Sequence, residues 1–522
     1  MQQMGRKKRV NSFIVIGMMV SLLSACSGNS SSESPAANAG GQVTPSESTS
    51  SKEPVELSVF VNHPWFPVKD WSGSIPEMIT EKTGVKLKVT VAADDKQLPL
   101  MIASGDLPDL VFTSTNLDRL ADPAVSYSWN ELIEKYAPDF KPDQDRIAIN
   151  TETDGNFYTI RNNFATQAEW DANPNASVSP GALGIRQDIM DALGKPALNN
   201  LQDLENILGQ VKAKYPDMIP LMLDKNWGYY YLKQQFGIPT ITTDLYEKDG
   251  KVSYYINHPK SLDYYKYINS LYRNEYITGE NFAFKDTLRD NDYVLKGKVF
   301  AEADNTNDID NMNSQIKLDN NAKLTQLVKP LGSDAKYYNA SVGWSGVYIT
   351  KENKNPEASI KFMQYMFSEE GQKLGLWGIE GKHYKWNNEG KYPELLYKQG
   401  DSDYINKEGI GFWGLMSNSA AIDIADPNIE SSHVKKAAKD TMVLVPALGL
   451  LVPKSDSEEG VILSKLKEMI STEEVRIFMS DSEESAVKAY NDMLAKAEQI
   501  GLSKYEAWLN KKYEEVKPLF QK

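Results

Sequence analysis

Hydrophobic and polar positions repeat with two different periods along the chain, and the switches between them outline its elements. Residues 56–61, Glu-Leu-Ser-Val-Phe-Val, are a short apolar run that predicts a buried strand. Residues 85–91, Val-Lys-Leu-Lys-Val-Thr-Val, alternate with period two and predict a second strand. A third is predicted at 109–112. Between them, 75–82 predicts a helix stopped by Gly84 as a C-cap, and 95–103 a shorter helix with Asp94 or Asp95 as N-cap. This order of strands and helices implies crossover connections and a parallel sheet. Such sheets bind ligands beyond the carboxyl ends of their strands, here residues 62–66 and 113–116.

Further along, 129–136 predicts an amphipathic helix and 157–161 a strand, followed by a polar stretch over 162–180. Residues 184–186 lead into a helix ending near Gly194, and 201–214 predicts another helix. Aromatic residues gather around Trp227. Residues 262–273 read as a Tyr-rich helix, 293–301 as a Lys-Gly-Lys turn into a strand, and 341–350 as a strand through 347–349. The stripe Phe362, Met363, Met366 and Phe367 in a predicted helix over 356–367 has helical spacing and reads as core. Residues 458 to the end are mostly helical, and there is no clear internal repeat.

The N-terminus follows neither period. Arg6, Lys7, Lys8 and Arg9 precede an apolar run over 10–23, and Leu23-Ser24-Ala25 precede Cys26, the arrangement of a secretory signal. The run is shorter than the roughly 20 apolar residues of a membrane span. Leu-Ser-Ala-Cys resembles a bacterial lipobox. That resemblance implies cleavage after residue 25 and diacylation (a palmitate-type anchor) of Cys26, which becomes the N-terminus; an ordinary signal with an incidental cysteine is the alternative. Residues 26–54, rich in Ser, Gly, Ala and Pro, read as a disordered tether.

The rest of the 522 residues are too many for one core and natural for two lobes, and 10 Trp, 27 Tyr and 16 Phe are ample to fill them. A net charge of −14 argues against a nucleic-acid partner, since no basic stripe exists to displace its counterions. Cys26 is the one cysteine, which excludes disulfides within the chain and cysteine-based metal chemistry. His63, His258, His383 and His433 make no zinc-binding pair. Gly343-Trp344-Ser345-Gly346-Val347 nearly matches a nucleophile elbow but ends in Val. Asp94-Asp95 and Asp106 with Asp109 read as cap and turn residues rather than catalytic pairs. Hence no catalytic residue, metal or cofactor is expected, and the protein is expected not to be an enzyme.

Several segments together resemble bacterial extracellular solute-binding lipoproteins of the carbohydrate ABC-transporter type, in particular the long Gram-positive members. They are 103–110, Ala-Ser-Gly-Asp-Leu-Pro-Asp-Leu; 185–188 with Leu193-Gly194; 347–358; 376–384; and 500–505. The resemblance covers nearly the whole chain after the tether. It implies an α/β fold of the two-lobe, type II periplasmic-binding-protein-like kind, a clamshell with the ligand cleft between lobes. The lobes it implies are 55–161 plus 302–344, and 162–300 plus 348–522, with crossings near 160–164, 299–303 and 346–350. Many long members carry a calcium loop after the helix that ends here at Lys214; residues 215–220, Tyr-Pro-Asp-Met-Ile-Pro, depart from it.

A sugar presents flat C–H faces ringed by hydroxyls, so its site needs aromatic plates and amide, carboxylate or guanidinium groups. Candidate plates are Trp65, Phe66, Trp227, Trp344 and Trp377. Candidate polar groups are Asn62, His63, Thr113, Ser114, Asn116, Arg161, Asn162, Arg186, Asp304 and Asn305; Arg186 has pairing with Asp188 as its alternative. The implied function is a monomeric, lipid-anchored receptor on the outer face of the cytoplasmic membrane of a Gram-positive bacterium. It would deliver a carbohydrate, an oligosaccharide, to permease subunits and touch the membrane through the lipid alone. The alternatives are a tethered polysaccharide-degrading enzyme and a receptor for peptides or another small polar solute.

Overall fold

The computed structural model describes residues 53–239, 242–284, 289–318, 322–398, 401–424 and 429–520. The signal segment, Cys26 and nearly all of the tether lie outside the described residues.

Two four-stranded sheets organise the chain. The first contains β1 (Val55–Val61), β2 (Val85–Val91), β3 (Leu110–Thr113) and β8 (Gly346–Ile349), in the order β8-β3-β1-β2. β1 runs parallel to β2 and β3, as the strand–helix alternation predicts, while β8 is antiparallel to β3. The alternation of β1 sends Leu57, Val59 and Val61 into one apolar cluster and Phe60 into another. Both faces are therefore covered, which is why this strand reads as a nearly continuous apolar run. Helices Ser74–Thr83 and Pro356–Met366 cover one face, and Leu98 of helix Gln97–Ser104 packs on the other. Gly84 closes the first helix in the left-handed conformation, with φ 68°. The second begins later than expected: Asp94 accepts from Lys96 N at 2.9 Å, so it shapes the turn before the helix instead of capping it.

The second sheet contains β4 (Gly181–Arg186), β5 (Ile219–Leu223), β6 (Val299–Asn305) and β7 (Leu324–Gln326), in the order β5-β6-β4-β7. β6 pairs in parallel with β5 and antiparallel with β4. Its core also takes in the C-terminal helices Glu458–Phe478, Glu483–Ile500 and Leu502–Val516, through Leu466, Met493 and Leu509 among others.

These sheets correct the expected lobe boundaries. Residues 302–305 of β6 and all of β7 fall within 302–344 yet belong to the second sheet, because both strands pair with β4. β8 and the helix Pro356–Met366 lie with the first sheet, although the chain after 348 was expected in the second lobe. Residues 299–303 are strand interior rather than a crossing.

The segment 157–161 is not a strand either. Its backbone is bound by side chains and helix ends: Phe157 N donates to Asn130 Oδ1 at 3.2 Å and Arg161 N to Asn150 Oδ1 at 3.3 Å. It leads into Asn162, where the crossings meet. Asn162 N donates to Ser345 O at 2.8 Å, its Oδ1 accepts from Ser345 N at 2.8 Å, and its O accepts from Trp344 N at 3.1 Å. Its Nδ2 donates to Leu415 O. Asn163 N donates to Asn418 O at 2.7 Å, and Phe164 bridges to Ser419. Residues 340–345 return the chain from the second sheet to the first, and 415–420 precede its last passage to the C-terminal helices. Gly343 has φ +100°, and a Cβ there would collide with Arg161 and stand 3.0 Å from Asn162 O, so the crossing requires glycine.

Asn162→Ala removes both side-chain tethers from a fully buried position and strands the Leu415 carbonyl and Ser345 amide. It is expected to lower unfolding stability by about 3 kcal/mol. Urea titration followed by circular dichroism measures this; an unchanged midpoint would show that the crossing does not depend on the side chain.

Candidate functional site: an aromatic wall beyond the first sheet

The carboxyl ends of β1 and β3 converge, as a parallel pair must. Asn62 follows β1 and is buried. Its Nδ2 donates to the hydroxyls of Thr113 and Thr115, both at 3.0 Å, and its N donates to Phe112 O. Thr113 is fully buried and its hydroxyl donates to Thr115 O at 3.1 Å. Asn116 takes a left-handed conformation, φ 56°, that turns the chain into Leu117–Leu120. Asn62 and Thr113 thus shape the loop, while Ser114, Thr115 and Asn116 carry the accessible polar groups.

His63 is the centre of a stack. Its ring lies 4.8 Å from Trp344 at 26° and 5.3 Å from Trp65 at 35°, with Phe112 edge-on at 4.9 Å. Its Nε2 is 3.0 Å from Ser345 Oγ. Trp65 and Trp344 are 5.9 Å apart. Trp65 is 50% exposed, the most exposed Trp among the exposed large hydrophobic residues, whereas His63 is 2% exposed. Trp65 therefore offers a wet aromatic surface on a rigid buried base. Pro64 follows His63, Phe66 N donates back to His63 O at 2.8 Å, and the tight turn throws Trp65 outward.

The same turn sends Phe66 inward, against Phe112, Phe412 and Trp413, with no exposed surface. This corrects its expected role as a plate. Trp377 is likewise packed edge-on against Tyr384 and Trp386 and is 6% exposed. Two further polar candidates have inward partners. Arg161 Nε donates to Asn150 Oδ1 at 3.0 Å and its Nη2 to Ile149 O at 2.8 Å, closing the end of helix Gln144–Asn150. Arg186 grips Asp188 with two bonds of 2.7 and 2.6 Å. Asn162 is the crossing strut described above.

The remaining candidates sit at the carboxyl ends of β5 and β6. Asp224 N donates to Ala303 O, and its Oδ1 accepts from Asn226 N and from Trp227 N, at 2.9 and 2.6 Å. Trp227 opens helix Trp227–Gln235 and meets Tyr230 edge-on at 5.8 Å. Asp304 is 3% and Asn305 5% exposed, and Asn305 Oδ1 caps helix Thr306–Gln315 by accepting from Asn307 N. Ser345 and Thr115, which join the wall, were not singled out as ligand residues. Ser345 lies in the Gly-Trp-Ser-Gly run, and its contact with His63 spans 282 positions, beyond local pattern.

Ser345 and His63 together have the outline of a nucleophile and base, but the chemistry is wrong for it. No carboxylate bonds to His63 among the described residues, and burial lowers its pKa to about 4, far from a base poised near neutrality. The neutral ring serves as a plate beneath the indoles.

Residues 76–378 match the bacterial extracellular solute-binding protein family, and the chain belongs to it. It is 24% identical over 395 residues to a carbohydrate ABC transporter substrate-binding protein of Streptococcus pneumoniae, covering 72% of this chain and 74% of that one. Among solved structures, it resembles S. pneumoniae FusA bound to kestose, with TM-score 0.67, 19% identity, and 89% and 99% of the two chains covered. It also resembles the alginate-binding protein AlgQ2, with TM-score 0.65, 18% identity, and 90% and 100% covered. The fold is accordingly the two-lobed α/β arrangement of type II periplasmic binding proteins, and the family is one of binding proteins.

The lowered pKa of His63 makes a signed prediction. The unfolded ring takes up a proton below about 6.5 and the folded ring only below about 4, so stability is lost as pH falls across that window. The stability advantage of the wild type over His63→Gln is expected to shrink by about 3 kcal/mol between pH 6.5 and 4. Urea unfolding of both proteins across that range measures it, and a constant difference would mean that His63 titrates normally.

Proposed function

We propose that the protein is the substrate-binding component of an ABC importer for a neutral oligosaccharide. It works outside the cytoplasmic membrane as a lipid-anchored monomer and passes its ligand to permease subunits. The observation that carries this reading is the half-exposed Trp65 held against the buried His63 and the partly exposed Trp344, at the strand ends where sheets of this kind bind ligands. Indole faces cover the C–H faces of sugar rings, and Ser114, Thr115 and Asn116 border the wall with groups suited to hydroxyls. Arg161 and Arg186 are committed to internal partners, so neither is free to hold a sugar carboxylate. The pneumococcal relative and the kestose-bound neighbour support the ligand class. Trp227, Asp304 and Asn305 are candidates for the second lobe's share of the cleft. A ligand touching both lobes favours the closed state and shifts the population toward it.

Thermal-shift screening separates the ligand classes, because a ligand of the native state raises the melting temperature. Neutral oligosaccharides of two to six units are expected to raise it, and peptides and uronic-acid oligomers to leave it unchanged. By calorimetry, Trp65→Ala and Trp344→Ala should each weaken the responding sugar at least tenfold, about 1.4 kcal/mol. Unchanged affinity in both variants would remove the wall from the site, and a response to peptides alone would remove the carbohydrate reading.

Cys26 serves retention in this account. Cys26→Ser is expected to release the protein into the culture medium with its sugar affinity intact. Membrane retention of that variant, measured by fractionation, would contradict the lipid anchor.

A further inference from the structure

Three carboxylates converge at the second sheet, and the charge of a fourth acts on them. Asp224 follows β5. Glu302 and Asp304 stand two apart on β6, hence on one face of the strand. Asp290 comes from helix Arg289–Leu295. Each is 3% exposed or less. One carboxylate oxygen from each of Asp290, Glu302 and Asp304 lies within 4.8 Å of the others. That span is bridged by one ion with bonds of about 2.3–2.6 Å.

Asp290 Oδ1 and Asp304 Oδ1 accept from the Asn291 and Asn305 amides, and three other oxygens are unclaimed. Neither oxygen of Glu302 has a hydrogen-bond partner, nor does Asp290 Oδ2. Asp224 supplies a separate sign. Its Oδ1 is fixed by the Asn226 and Trp227 amides, which leaves Oδ2 buried and without a partner, and its charge acts on all three of the other carboxyls. The charges that act on Asp290, Glu302 and Asp304 are those of other carboxylates, and the cation that acts on Asp224 is its sequence neighbour Lys225. Burying uncompensated anions costs several kcal/mol each, so the cluster requires either protons or a cation.

We propose that Asp290, Glu302 and Asp304, with Asp224 as a fourth ligand, hold a calcium ion. The all-oxygen donor set suits a hard cation and offers no nitrogen or sulfur to a softer one. The site is separate from the 215–220 loop: it lies at the carboxyl end of β5, whereas that loop enters its amino end. An ion here ties β5, β6 and the helix Arg289–Leu295 together beneath Trp227 and Asn305, and so stiffens the second sheet without touching the aromatic wall.

The purified protein, stripped with a chelator, is titrated with calcium chloride by calorimetry, and its melting temperature is read with and without the ion. One equivalent of calcium should bind and raise the melting temperature by several degrees. Glu302→Gln and Asp304→Asn should each weaken calcium at least tenfold, while their chelated forms melt no lower than chelated wild type, because each variant replaces a buried carboxyl that must otherwise be held protonated. Wild type that binds no calcium and melts identically in chelator and calcium would overturn the proposal and leave a protonated cluster. Variants that bind calcium as wild type does would overturn it as well, by placing the ion elsewhere. If one variant fails to fold by circular dichroism, the other decides.

Discussion

Asn162 has no exposed surface, and its side chain is divided between two other segments: Oδ1 accepts from Ser345 N and Nδ2 donates to Leu415 O. Through this one residue the outgoing passage between the sheets is bound to the return passage and to the stretch before the last one. The packing around it has no slack. Gly343 turns in a left-handed conformation against Arg161 and Asn162, and Arg161 is in turn bolted to the end of helix Gln144–Asn150. The aromatic wall grows out of the same knot. Ser345 bonds to Asn162 through its backbone and to His63 through its hydroxyl, so the ring beneath both indoles is positioned by the crossing itself. A change at the crossing therefore reaches the wall through Ser345 and through Trp344, whose N donates to Asn162 O.

The wall divides its labour by burial. Trp344 and His63 are held from below by Phe112 and Ser345, and Trp65 is set on top of them with half of its surface wet. Rigid aromatic groups lose little conformational entropy when a ligand arrives, which favours affinity. The neighbouring residues show how narrow the distinction is. Trp65 and Phe66 are adjacent, yet one faces solvent and the other is sealed among Phe112, Phe412 and Trp413. Composition treats them alike; the hydrogen bond from Phe66 N to His63 O separates them.

Elements that follow from local pattern were legible in the chain. The strand at 85–91 and the helices at 129–136 and 201–214 have the bounds that their periodicity predicts. The positions of the strand ends beyond β1 and β3 also followed, because crossover order fixes them. What failed was nonlocal. Residues 157–161 have strand-like composition but meet side chains and helix ends instead of a neighbouring strand. The expected boundary divided β6 and placed β7 with the first sheet, because strand pairing is a choice of partner that no single segment encodes. In the site, Trp65 and Trp344 were visible as aromatics near a loop and a crossing, but the contact that brings Trp344 onto His63 joins residues 281 positions apart. Glu302, at the heart of the carboxylate cluster, gave no signal at all, since one acidic residue in a buried strand resembles any other until its neighbours are known.

The central claim is that a neutral sugar ring lies on Trp65, and saturation-transfer NMR reads that contact directly. Irradiating the aromatic protons of the protein in the presence of a neutral oligosaccharide identified by thermal shift should transfer saturation to the ring C–H protons of one or two sugar units. The transfer should fall sharply in Trp65→Ala. Equal transfer in the wild type and in Trp65→Ala, with both proteins folded, would contradict the account.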